Sequence, residues 1–283
     1  MPKQNTEQTI IVCMNEVDRT DQMLNMIKAL SKKMACHFVG LYIIPAVQVY
    51  PGTGMQVSTQ VYDGLQKYYL DNAAGVKAKF EKLLSAEGLN GEWRQVKSSG
   101  PVIAEEIIQH GIISDMIVIP QSRRDDGDGL GDDFAEQVVM ECGRPVLIIP
   151  SYGTFTNFGK NILVAWNGKR EAARAVFDAQ AIMASADKVD ISWLNPDKVG
   201  QNMDLPGAEL AVVLARHGVN VTVEAIPTAG LAAGEALLSH AADIGADMLV
   251  MGAYGHSRLR EFVFGGATRT ILASMTVPVL MSH

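Results

Sequence analysis

The chain has 283 residues, enough for two cores of about 140 residues each, and its 48% hydrophobic and 19% charged residues exclude a disordered polymer. A net charge of -7 gives no general attraction to nucleic acid or anionic lipid, so any anion site has to be local. The leading MPKQNTEQT has no apolar signal core and no apolar run approaches the ~18 residues of a membrane span, so a cytoplasmic protein with no nucleic-acid or membrane partner is expected.

The first strand candidate is Ile10-Ile11-Val12, which carries Cys13 and is followed by Asn15. Helical period follows at Met23, Ile27 and Leu30, and again at Leu65 and Tyr69. Met55 to Tyr69 is the longest insertion of the first half; Tyr50, Tyr62, Tyr68 and Tyr69 there read as core packing rather than a partner surface. Asp115-Met116-Ile117-Val118 and Pro145-Val146-Leu147-Ile148 are two further strands, with His110 at the end of the helix before the first of them. Cys36 and Cys142 fall near helix ends, and none of the three cysteines has zinc-site spacing, so all read as buried thiols.

After the turn-rich stretch Pro150 to Lys160 the pattern repeats. Ile162-Leu163-Val164 is followed by Asn167, Asp247-Met248-Leu249-Val250 matches the fourth strand, and Pro278-Val279-Leu280-Met281 the fifth. The expected fold is α/β: two tandem open doubly wound five-stranded mostly parallel sheets with helices on both faces, in domains 1–150 and 151–283. Strands of the second copy are expected near 161–165, 188–194, 219–226, 247–251 and 277–281. The closing strands near 146–149 and 279–282 are expected at sheet edges, where the copies can pair as an intrachain pseudo-dimer.

The most informative segment is Met251-Gly252-Ala253-Tyr254-Gly255, followed after nine residues by Gly265-Gly266-Ala267-Thr268. It lies between a buried strand and a helix, at the carboxyl edge where open α/β sheets bind ligands. Glycines let backbone amides approach a ligand, and the helix start directs free N–H groups at it. Tight turns and helix packing are the plainer reading of the same glycines. Arg258, Arg260 and Arg269 add positive charge, and Thr268 a hydroxyl donor.

This pattern, Gly252-x2-Gly255-x9-Gly265 with Gly266-Ala267-Thr268 and the closing Val277-Pro278-Val279-Leu280, resembles the universal stress protein family in its tandem form. The resemblance implies a stress-response sensor binding an adenine nucleotide, ATP with or without Mg²⁺. By position it assigns the contacts to Asn167, Leu194, Met251, Gly252, Tyr254, Gly255, Gly265, Gly266, Ala267 and Thr268. The chain departs from the family in having Gly266 where Ser or Thr follows the third glycine, and Asn167 where the first strand ends in Asp. An unidentified protein partner and further homodimerisation are left open.

In the first copy Pro120 replaces Gly252, an aspartate-rich loop runs from Arg123 to Gly131, and Asp132 and Asp133 stand opposite Gly265 and Gly266. These carboxylates are expected to cap the fourth helix from within the chain and to repel a polyphosphate, leaving this copy structural. The loop does not fit a calcium-binding EF-hand. No catalytic or metal-binding residue is assigned: the P-loop and the GxGxxG fingerprint are missing, and His256 has no Ser or Cys nucleophile beside it. His240, like His110, reads as a packing residue. Two alternatives remain, a nucleotide-independent scaffold, favoured by Asn167 and Gly266, and a slow ATP-hydrolysing enzyme resting on His256 and the arginines.

Overall fold

The computed structural model describes residues 7–46, 59–122, 130–194, 207–228, 230–254 and 266–283. In the first half, β1 (Gln8–Cys13) leads through a short 3-10 turn, Val17–Arg19, into α1 (Thr20–Ser31) and β2 (Cys36–Ile44). Then come α2 (Thr59–Glu87), β3 (Asn90–Lys97), α3 (Ile103–Gly111), β4 (Met116–Pro120), α4 (Phe134–Glu141) and β5 (Val146–Ile149). The second half repeats the plan with β6 (Asn161–Trp166), α5 (Arg170–Asp178), α6 (Gln180–Met183), β7 (Lys188–Leu194) and α7 (Ala208–Arg216). It closes with β8 (Val221–Ile226), α8 (Ala233–Asp243), β9 (Met248–Gly252), α9 (Ala267–Ser274) and β10 (Val279–Ser282).

The central strands are short apolar runs because both of their faces are covered. Every residue of β4 and β5 is buried, as is all of β10, so none of these strands alternates with solvent. The edge strands β3 and β8 do alternate, with exposed residues at every second position over most of their length. The helices bury one stripe each; α1 buries Met23, Leu24, Met26, Ile27 and Leu30 against the sheet. Right-handed crossovers put α3 with α4, and α8 with α9, on one face, and both pairs are in contact.

Strand order confirms the duplication. The first half runs β3-β2-β1-β4-β5 and the second β8-β7-β6-β9-β10, the same order read from the outside in. All neighbours within a half are parallel. The two sheets are not separate, however. β5 and β10 pair antiparallel, Leu147 opposite Leu280 and Ile148 opposite Val279, so the edges expected to meet fuse the halves into one ten-stranded sheet. A local two-fold relation at this seam follows, and it keeps α4 and α9 on the same face.

Pro150 to Lys160 joins the halves without forming a strand or helix, and it is pinned at several points. Gln22 donates to the carbonyls of Pro150 and Gly153, Lys33 donates to Gly159, and Phe158 is buried. Cys13, Cys36 and Cys142 are free and buried, and burial pushes the thiols of Cys13 and Cys36 up to about 12. Of the inserted tyrosines, Tyr69 is buried and Tyr68 exposed; Tyr50 lies outside the described residues, and so does the side chain of Tyr62.

Candidate functional site

Strand order reverses between β6 and β9, which opens a crevice at their carboxyl ends, where sheets of this kind take ligands. β6 ends beside Asn167, an exposed residue whose side-chain oxygen accepts the Lys169 N–H at 3.0 Å. This turn starts α5, whose N-cap, Lys169, makes no side-chain cap. Leu194 closes β7 opposite Ile226 and is half-buried. Met251 is core: its side chain is buried, and its strand neighbours are Ala165 and Met281.

Gly252 is explained by packing. A Cβ there would lie 2.4 Å from the Ala172 nitrogen and 2.5 Å from the Glu171 carbonyl carbon, so only a bare α-carbon lets α5 lie this close to β9. Glu171 itself is buried beside this contact, a carboxylate that sequence reasoning passed over. Burial alone raises it, but Arg170, bonded to it at 2.6 Å, and its own backbone N–H outweigh that and hold it below the usual carboxylate range.

Beyond Gly252 the backbone turns at Tyr254, which has φ 52° and is the single non-glycine with positive φ among the described residues. Its N–H donates to Thr268 Oγ1 at 3.3 Å, tying the strand end to the first turn of α9. Thr268 is therefore buried with an internal bond in place, accepted by its oxygen. The Tyr254 ring lies against α4 of the other half. Burial pushes its phenol up, the Glu136 carboxylate pushes it further, and Arg269 acts in the opposite direction. No partner meets its hydroxyl at hydrogen-bonding geometry among the described residues.

Gly266 is the N-cap of α9, with φ −66° and ψ 147°. Its carbonyl accepts the amides of Arg269 and Thr270, and no side chain among the described residues caps the helix. Its conformation is open to any residue, so what glycine supplies here is a bare approach to the amides of Ala267 and Thr268. Gly255 and Gly265 lie outside the described residues, as do His256, Arg258 and Arg260.

The first half's crevice, between β1 and β4, is filled from within. Arg19 is 4% exposed and donates to Glu16 at 2.9 Å, to the carbonyl of Gln121, and to the carbonyls of Ile149 and Pro150. Asn15, matched to Asn167 in the repeat, is buried and exchanges two hydrogen bonds with the Ile43 backbone. The expected capping by aspartate is not found. Asp133 is the N-cap of α4 but makes no side-chain cap: with ψ 4° it is not extended, and its carboxylate takes a bond from the Gln137 amide instead. Asp132 is exposed. No local pattern announced the buried place of Arg19, since the carbonyls it bonds lie more than a hundred residues away.

Residues 159–283 match the model of the Universal stress protein family. The second half thus carries the sequence pattern of this family. A universal stress protein of Synechocystis is 28% identical over 151 residues, covering 51% of this chain and 49% of its own length. The chain thus aligns with about half the length of this curated relative. A universal stress protein of Archaeoglobus fulgidus has the same fold at 17% identity, with a TM-score of 0.71 and coverage of 97% of this chain and 96% of that one. A Pseudomonas aeruginosa protein described as functionally unknown is similar at 14% identity, TM-score 0.62, covering 98% and 93%. These two likenesses extend the universal stress fold over both halves and carry the fold alone. No helix among the described residues is long and apolar enough to cross a membrane.

Proposed function

We propose that the second half binds an adenine nucleotide, ATP with or without Mg²⁺, at the carboxyl edge of β6 and β9, and that occupancy adjusts the protein's interactions during stress. The observation that carries this reading is the start of α9. It meets the crevice with amides that no described side chain caps, behind a glycine whose backbone does not require glycine. Such a helix start favours a phosphate. The first half supports the contrast, since Arg19 and its carbonyl partners occupy the matching crevice there.

In this reading Gly266, Ala267 and Thr268 hold phosphate oxygens through the α9 amides, together with Gly255 and Gly265. Tyr254 fixes the loop through its bond to Thr268. Asn167 and Leu194 border the nucleoside side, and Met251 and Gly252 set the floor. Asn167 presents an amide rather than a carboxylate, so any metal ion is held by the phosphates more than by the protein. Domains 1–150 and 151–283 divide the roles, the first structural and the second ligand-binding.

Isothermal titration of the whole chain with ATP tests the proposal: saturable heat with one site per chain is expected, and no heat at millimolar ATP leaves a nucleotide-independent scaffold. Product analysis after long incubation with ATP and Mg²⁺ separates sensor from enzyme, with unaltered nucleotide expected.

A further inference from the structure

A cleft of about 770 Å³ lies between the two halves, and neither the family pattern nor the repeat accounts for it. Its origin is an asymmetry in the duplication. The amide of Gln121 bonds to the end of β5 at Ile149, and that of Ala253 to the end of β10 at Ser282, so these two residues are equivalent. The next position is Ser122 in one half and Tyr254 in the other. Tyr254 covers its side of the seam with a ring. Ser122 leaves the corresponding space open, and its buried hydroxyl has no partner among the described residues. Gln121 does not fill the gap, because its amide is spent on the Leu272 carbonyl and the Ser151 N–H.

The cleft is of ligand size and sits at a junction of two units, where small-molecule sites concentrate. Among the described residues its charge is one-sided. Asp132 and Glu136 line the α4 wall, and the one described cation of the lining is Arg269, whose Nε is 3.9 Å from Glu136. The opposite wall is the carboxyl end of α9 and the two residues that follow it, from Leu272 to Thr276, which brings the negative end of a helix. Leu272 and Met275 give an apolar floor, and the ring of Tyr152, 81% exposed, stands at the rim. Carboxylates, helix carbonyls and an aromatic face together reject phosphate and suit an ammonium group on a hydrocarbon chain.

We propose that this cleft binds a small organic polyamine, its ammonium groups held by Asp132, Glu136 and the carbonyl end of α9 and its methylenes laid on Leu272 and Met275. The site is separate from the nucleotide crevice and calls for the opposite charge.

Titrating the full chain calorimetrically with spermidine tests it, with circular dichroism and melting scans to check that each variant is folded. One saturable site per chain is expected. The pair Asp132→Asn and Glu136→Gln should weaken it about tenfold. Ser122→Tyr, which copies the second half, should remove it. Glu105→Gln with Glu209→Gln, two exposed carboxylates elsewhere, makes the same change in net charge and should leave it intact. Equal weakening by both charge pairs would reduce the effect to general attraction of a cation to an acidic protein. That result, retention of binding in Ser122→Tyr, or absence of saturable binding overturns the proposal.

Discussion

Gly266→Asp sets a carboxylate at the N-cap of α9. The position has φ −66° and ψ 147°, so the substitution brings no backbone strain, and an extended N-cap lets an aspartate oxygen reach the amides that follow. Asp is better than Gly there by only a few tenths of a kcal/mol, about 0.5 at most, so the ligand-free protein should melt at the same temperature or slightly higher. The nucleotide meets a different balance. A phosphate charge about 4 Å from the new carboxylate is opposed by about 1 kcal/mol in water and about 4 kcal/mol at the effective dielectric of a protein surface. Gly266 and Ala267 are half-buried, which puts the loss between these limits, about 5- to 1,000-fold in Kd. Calorimetry with ATP, paired with melting scans with and without nucleotide, reads both effects. A variant that keeps wild-type affinity and the full nucleotide-induced rise in melting temperature would refute the assignment of phosphate to these amides.

Arg19→Met removes a donor from the carbonyls of Gln121, Ile149 and Pro150 and takes from the buried Glu16 its Arg19 partner, so a loss of about 3–5 kcal/mol is expected in urea unfolding. Gly252→Ala forces a methyl against the backbone of α5, which should cost about 1–3 kcal/mol and lower the melting temperature even without ligand. Glu171 is held below the ordinary carboxylate range in the folded state, so its stabilisation is present above its unfolded value and is lost as pH falls through the lower, folded one. Glu171→Gln should flatten the acid limb of the stability–pH curve; an unchanged limb would assign acid sensitivity to other carboxylates.

Much of the fold was written in short apolar runs. Strands expected near 161–165, 188–194, 219–226, 247–251 and 277–281 appear at 161–166, 188–194, 221–226, 248–252 and 279–282, because strands covered on both faces need unbroken apolar sequence. The seam was legible as a pair of closing strands, but its merging of the sheets depends on register, which no local pattern encodes. The glycine segment was legible as a crevice, yet periodicity could not separate the roles within it. Gly252 serves packing against α5, whereas Gly266 heads a helix that no described side chain caps. The aspartates of α4 misled because residue type alone does not cap a helix; the backbone must be extended, and that of Asp133 is not. Arg19 and the Tyr254–Glu136 approach join residues far apart in sequence, so only the assembled chain brings them together.

Covalent joining of the halves has a consequence at the seam. Glu136 and Arg269 occupy the same place in the two copies and face one another at 3.9 Å. In an association of identical chains every residue near the axis would meet its own twin, acid against acid or base against base, and each substitution would be made twice. Here one gene length writes the two sides independently. Rotational symmetry is thus free to lapse, which allows one copy to bury an arginine at its sheet end while the other has a helix start that no described side chain caps.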